Sequence, residues 1–480
     1  MKVLVANRGE IACRILRTLR EMSIRSVAVF TDPDRDAPHV HLADEAAALG
    51  ASDQYLSPEA LVHAARRCGA TAVHPGYGFL SQSAPFVRAC EASGLIFIGP
   101  GAESMEMLGD KRASRAAAER LGIPVVPGAQ EVDTPASAKD AAARLGYPVL
   151  LKAAGGGGGR GMRLVRAPVE LEEAHAAARR EAKASFADDR LILEKYISPA
   201  RHLEVQILGN GREAVALGER ECSLQRRYQK VIEEAPAVRV GEETRRSLCD
   251  AAVRLAREAG YRSAGTVEFL LGPDGSFHFL EVNTRLQVEH PVTEMITGMD
   301  IVRAQIEIAQ GGALPDPVAP RGHAIEARLN AEDPYRGFLP QTGPILMLDW
   351  PHRPCVRIDA GIRAGQQVSG SYDSLLAKVI AWGIDREEAR RRLVETLREA
   401  TLLGIMTNQA FLLQVLESEP FRSGETYTTT LESRTWPEAP LPEEIVRAAR
   451  RWSSSREGSR NGAASVLGPW ESLGRFRVGS

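Results

Sequence analysis

The chain has 480 residues, 44% hydrophobic and 25% charged, with a formal net charge of −2. Those proportions suit a globular protein of about two to four domains. The near balance of charge gives no footing for nucleic acid or a membrane surface as partner. The six cysteines are scattered with no CxxC pair, which argues against a zinc site or disulfide framework and for a reducing, cytoplasmic setting. No signal-peptide core opens the chain and no apolar stretch reaches bilayer-spanning length.

Residues 2–6 read as a buried strand. Asn7 and Glu10 form an N-x-x-E variant of a capping box, Ile11, Ile15, Leu16 and Leu19 follow at helical spacing, and residues 27–30 make a second strand. This βαβ start implies a parallel sheet. A helix over 58–67, a strand over 70–73, the loop His74–Phe79 and a strand over 95–98 continue the α/β pattern. A helix-rich segment opens at 108–111 and ends near Pro124. Strands over 148–152 and 162–165 flank a run of five glycines, and a helix over 170–184 precedes a strand over 190–195. Strands 264–271 and 277–282 flank Gly272-Pro-Asp-Gly-Ser276, a hairpin signal. The Gly/Pro-rich stretch 311–320 reads as a linker, 322–430 as a further mixed α/β segment, and the Ser/Arg-rich end as a flexible tail.

Three constellations carry chemistry. Glycines 155–159 follow Lys152 between two strands, where backbone amides converge on phosphate oxygens under a lid; a flexible linker is the bland alternative. Glu268 and Glu281 lie on the two hairpin arms, as magnesium ligands or as unrelated surface glutamates. An ideal register sets Glu268 opposite Leu280, so a bulge or asymmetric turn is needed for both to face one ion. From Glu281 to Glu289 every second residue is polar: Glu281, Asn283, Arg285, Gln287, Glu289. In an extended strand these share one face, and His290-Pro291 is expected to keep the chain extended. A solvent-facing edge strand is the alternative.

The segments ANRGEIACRILR, HPGYGFLSQ, FIGP, GDK, KAAGGGGGRGMR, EKY, RHLEVQ, ERECSLQRR, GTVEFL, LEVNTRLQVEHPVTEMITGMD and EARLNAEDP run in order from residue 1 to about 430. In these the chain resembles biotin carboxylase, the ATP-grasp component of biotin-dependent carboxylases. The resemblance implies an α/β fold of an N-terminal parallel-sheet (pre-ATP-grasp) domain over 1–112 and an ATP-grasp domain over 113–320. A mobile glycine-rich lid would span about 128–205, with a mixed α/β C-terminal domain over 321–436 and a tail over 437–480.

It also implies ATP-dependent carboxylation of biotin with bicarbonate, through carboxyphosphate, as the first half-reaction of an acyl-CoA carboxylase. Mapped onto this chain, ATP would be held by Lys111, Lys152, Gly155, Gly156, Gly157, Gly158, Gly159, Glu194, Lys195, Ile197, His202 and Gln225. Glu268, Glu281 and Asn283 would hold Mg2+ or Mn2+. Bicarbonate would meet Lys230, Arg285, Gln287, Val288 and Glu289, with Glu289 as its base. Arg328, Tyr372 and Asp373 would meet biotin. The implied partners are a biotin carboxyl carrier protein or domain, a carboxyltransferase subunit and a second copy of the chain. Another ATP-grasp ligase, forming an amide, would keep the lid and the glutamate pair without needing Arg328 or the 285–289 row.

Tyr228 stands where the family often has His. No Ala-Met-Lys-Met motif is present, so carrier-bound biotin is expected to arrive in trans. Residues 468–477 are similar to the segment that opens the downstream region of long acyl-CoA carboxylase α chains.

Overall fold

The computed structural model describes residues 1–154, 162–186, 188–316 and 318–438. The five glycines 155–159 and all of the tail beyond Glu438 lie outside the described residues.

The first unit is built from β1 (Lys2–Val5), α1 (Gly9–Glu21), β2 (Arg25–Thr31), α2 (Pro38–Leu42), β3 (Glu45–Gly50), α3 (Pro58–Arg67), β4 (Ala72–His74), α4 (Ala84–Ala92) and β5 (Ile96–Phe97). Its sheet has the order β3-β2-β1-β4-β5, every pairing parallel. Both faces are covered by helices, so its strands are near-continuous apolar runs. The expected capping box is absent. Arg8 is the N-cap of α1 and makes no side-chain cap bond. Asn7 instead donates to Pro75 O and Tyr77 O, both at 2.7 Å, so this amide pins the following loop rather than the helix.

Two helices, α5 (Ala102–Gly109) and α6 (Lys111–Arg120), lead to a small four-stranded layer. That layer comprises β6 (Gly128–Ala129), α7 (Pro135–Leu145), β7 (Val149–Ala153), β8 (Arg163–Val165), α8 (Leu171–Phe186) and β9 (Leu191–Lys195), in the order β6-β9-β7-β8. It has its own core of Val149, Leu151, Val165, Leu191 and Leu193 packed on Ala138, Ala142 and Ala178.

The largest sheet takes β10 (Arg201–Asn210), β11 (Ala214–Arg226), β12 (Gln229–Ala235), β13 (Arg262–Leu271) and β14 (Phe277–Asn283), with helix α9 (Glu242–Glu258) packed against it. Helices α10 (His290–Thr297) and α11 (Ile301–Ala309) follow, then β15 (His323–Asn330), β16 (Val356–Ala360) and β17 (Leu375–Gly383), covered by α12 (Arg386–Glu399) and α13 (Gln409–Glu417). The strand order is β14-β13-β10-β11-β12-β15-β17-β16. The antiparallel β12–β15 pairing, with Glu233 opposite Glu326, carries this sheet across the linker. Residues 311–316 and 318–320 of that linker carry no helix or strand.

The expected extended segment 281–289 is corrected. The strand ends at Asn283, the chain bends at Arg285 and turns at Val288–Glu289, and His290 begins a helix. Pro291 lies in the first turn of α10, where its fixed φ suits a helix and its missing N–H is not needed.

The C-terminal half also closes on α1. A Cβ on Gly361 would lie 2.3 Å from Glu10 N, so only glycine allows that approach. Arg14 bonds Glu294 at 2.9 Å and Asp300 at 2.7 Å, and Arg17 bonds Asp359 at 2.8 Å.

Candidate active site

The hairpin β13–β14 sets the first pair of carboxylates. Phe269 is opposite Phe279 while Glu268 is opposite Glu281, so Leu280 is the extra residue of a bulge. That is the irregularity the sequence required. Asn283 follows two positions on, its Nδ2 donating to Glu268 Oε1 at 2.9 Å.

Each carboxylate already holds a cation from this chain. Lys111, the first residue of α6 behind the N-cap Asp110, pairs with Glu281. Glu268 accepts from Lys230 at 2.7 Å and from Gln287 at 3.0 Å, and its Oε2 lies 3.0 Å from His202 Nε2. His202 Nδ1 is 3.0 Å from Gln225 Nε2. Gln225 is cross-strand partner to Lys230, on a hairpin whose two turn residues, Arg227 and Tyr228, have φ of 46° and 65°. The segment 225–230 therefore divides: Tyr228 sits half-exposed at the tip, and Lys230 turns inward.

Lys230 is the hub. Its ammonium lies 2.5 Å from Glu204, 2.7 Å from Glu268 and 2.7 Å from Glu289. Burial pushes its pKa down, yet Cys222, Glu204, Glu268 and Glu289 outweigh it and hold the group well above the ordinary lysine value. Glu289 is buried, which alone pushes its carboxyl up. Lys230, Arg328 and Arg220 prevail, and it stays ionised, well below the usual carboxylate range. Arg328 Nη2 reaches Glu289 at 3.0 Å, and its Nε reaches Glu233 at 2.5 Å.

The polar row survives the loss of the strand. Arg285 donates to Asn283 Oδ1 at 3.0 Å and to Gln287, and Leu286 between them is buried in the apolar core. The bends at 285 and 288–289 keep alternate side chains turned to one side, so Asn283, Arg285, Gln287 and Glu289 stay joined through Glu268 and Lys230.

In the small layer Lys152 pairs with Glu194, and Arg115 Nη1 is 3.7 Å from the same carboxylate. Lys195 is committed elsewhere: its ammonium donates to Gly146 O at 2.8 Å and Tyr147 O at 3.2 Å. Ile197 lies in the segment joining β9 to β10. Tyr372 and Asp373 are not brought to Arg328 by any bond among the described residues. Tyr372 bonds Thr31 and lies under the Arg8 guanidinium, 4.1 Å from carbon to ring centroid, while Asp373 caps Leu375 N at 3.1 Å.

Glu268, Glu281 and Asn283 offer oxygen only, which suits a hard divalent cation. Asn283 presents its nitrogen to Glu268 and its oxygen to Arg285. Two further clusters, His202–Glu204–Glu268 and Glu204–Cys222–Glu289, bring ligand atoms within 4.8 Å. The Lys230 ammonium bonds Glu204, Glu268 and Glu289 of those clusters and already supplies the positive charge there.

Residues 1–105 match the family described as "Biotin carboxylase, N-terminal domain", 110–316 "Carbamoyl-phosphate synthase L chain, ATP binding domain", and 326–433 "Biotin carboxylase C-terminal domain". The chain is 46% identical to "Biotin carboxylase" of Haemophilus influenzae over 90% of its own length and 98% of that protein. The chain belongs to the biotin carboxylase family. It is also 43% identical to the mitochondrial methylcrotonoyl-CoA carboxylase subunit alpha of Dictyostelium discoideum, over 99% of this chain and 70% of that subunit. It spans 61% of the rat counterpart at 45% identity. Among solved structures, biotin carboxylase of Campylobacter jejuni superposes with a TM-score of 0.88 at 41% identity, covering 90% of this chain and 98% of that one. The biotin carboxylase domain dimer of Hydrogenobacter thermophilus 2-oxoglutarate carboxylase, in complex with MgADP, ADP and bicarbonate, superposes with a TM-score of 0.89 at 43% identity, covering 91% and 99%. ATP-dependent carboxylation of biotin, the reaction expected from the sequence, is the activity of this family.

Glu204, which bonds Lys230 and Arg220 in this cluster, was not among the site residues expected from the sequence. Glu204 sits in the alternating row His202–Glu204–Gln206 of a strand whose other face is core, and that alternation was the available signal.

Proposed function

We propose that the protein transfers CO2 from bicarbonate to biotin at the expense of ATP, through carboxyphosphate. The observation that carries this reading is the Lys230–Glu289–Arg328 triad, which joins an ionised buried base to Arg328 on β15. Glu289 takes the proton of bicarbonate, and Arg285 and Lys230 hold the anion. The bicarbonate oxygen then bonds to the terminal phosphorus of ATP as the bond to ADP breaks. Lys111 and Lys152 leave Glu281 and Glu194 to neutralise the phosphates, since such transfer depends on positioning and charge more than on covalent help. Glu268, Glu281 and Asn283 would hold a magnesium ion, which would supply further charge neutralisation at the phosphates. Carboxyphosphate then breaks to CO2 and phosphate, and the phosphate takes the N1 proton of biotin. Arg328 stabilises the negative ureido oxygen so formed, and N1 bonds to CO2 as that charge passes to the new carboxylate. Tyr372 and Asp373 are kept as biotin contacts, Lys195, Ile197, His202 and Gln225 as nucleotide contacts, and glycines 155–159 as the phosphate cover that excludes water.

The proposed partners are a carrier bearing biotin, a carboxyltransferase that passes the carboxyl group to an acyl-CoA, and a second copy of the chain. The proposed setting is a reducing compartment, in keeping with six free cysteines. An ADP-release assay with free biotin and bicarbonate tests the reading. Glu289→Gln is expected to lower bicarbonate-dependent turnover by about 10²–10⁴-fold, and undiminished turnover would refute the role of Glu289.

A further inference from the structure

Between Gln287 and His290 the chain makes a tight turn whose two carbonyls are both anchored from behind. Gln287 O accepts from His290 Nδ1 at 2.7 Å, and Val288 O accepts from Lys378 Nζ at 2.7 Å. Burial, with Lys378, Arg14 and Arg357 nearby, holds His290 well below the ordinary histidine pKa, so the imidazole is neutral and its proton sits on Nδ1. A trans peptide sets N–H opposite to C=O. Anchoring Gln287 O therefore directs the Val288 N–H to the other side, and anchoring Val288 O does the same for the Glu289 N–H. Among the described residues neither amide makes a hydrogen bond.

Lys378 comes from β17, beside Arg328 on one flank and Asp359 on the other. It is fully buried, and its ammonium is also 3.3 Å from Glu10 Oε2 on α1. One side chain of the C-terminal half thus reaches the first unit and the catalytic turn together. Burying an ammonium costs several kcal/mol unless it is paired and bonded; Glu10 supplies the charge and Val288 O the acceptor.

We infer that Lys378 is a positioning residue, its bond to the Val288 carbonyl holding the 287–289 turn so that two amides and the Glu289 carboxylate face the bicarbonate. This rests on the proposed function, and the experiment separates the two. Bicarbonate- and biotin-dependent ADP release by the unsubstituted protein tests the function itself. In Lys378→Met the KM for bicarbonate is expected to rise about tenfold, with the KM for ATP changed less than about twofold. Because Lys378→Met strands the Glu10 charge, the double variant Glu10→Gln/Lys378→Met is measured alongside, leaving no buried ion unpaired. A raised bicarbonate KM in the folded double variant supports the inference. A KM within about twofold of the unsubstituted value there, or equal changes in the bicarbonate and ATP constants, overturns it while leaving the function standing.

Discussion

Glu268 and Glu281 stand directly opposite each other across β13 and β14 because Leu280 is bulged out of the register. With that bulge, two carboxylates share one face and Asn283 joins them, while Lys111 and Lys230 occupy their oxygens. Glu281→Gln removes one of the proposed anionic ligands and leaves the hub at Lys230 intact. The magnesium concentration for half-maximal ADP release is expected to rise on the order of tenfold or more. A midpoint unchanged in a magnesium titration removes Glu281 from the metal set.

Arg328 touches Glu233 and Glu289 but neither Lys111 nor Lys152. Arg328→Ala is therefore expected to separate the two halves of the reaction. Biotin-dependent ADP release should fall by about 10²-fold or more, while slow bicarbonate-dependent ATP hydrolysis without biotin persists. The acid limb of that hydrolysis should also move to higher pH, since a cation that holds Glu289 down is gone. Equal loss of both activities would assign Arg328 to the phosphate end instead.

Glu326 gives a prediction of opposite sign. It is fully buried, neither carboxyl oxygen has a hydrogen-bond partner among the described residues, and burial drives its pKa well above the usual range against the pull of Lys378. A carboxyl whose folded pKa is raised adds full stability only below its unfolded value, and that stability is lost as pH rises. Glu326→Gln keeps the shape without the ionisation. Its melting temperature should exceed that of the unsubstituted protein at pH 8, with the difference vanishing near pH 4.5 (about the ordinary glutamate value). A thermal melt series across that range checks it, and a lower melting temperature at pH 8 would show that Glu326 is ionised and useful.

Much of this site was legible because its residues are close in sequence or marked by turns. The glycine hairpin announced β13 and β14, and the alternation from 281 to 289 announced a shared face. The geometry behind that alternation was not legible: bends do what a strand was expected to do, and Pro291 starts a helix instead of prolonging a strand. The Asn7–Glu10 spacing suggested a cap, but both side chains are claimed by tertiary contacts with the 74–77 loop and Lys378. Local pattern reports what a residue could do nearby. It is silent where a partner some 370 positions away competes.

The sheet that runs unbroken from β14 to β16 has a mechanical consequence. Glu268 and Glu281 near one edge and Arg328 beyond the middle are spaced by backbone ladders rather than by a jointed contact. The two ends of the proposed site therefore ride on one hydrogen-bonded sheet. Damage to the distal strands should first blur alignment at Arg328 and the 287–289 turn, lowering turnover while nucleotide still binds.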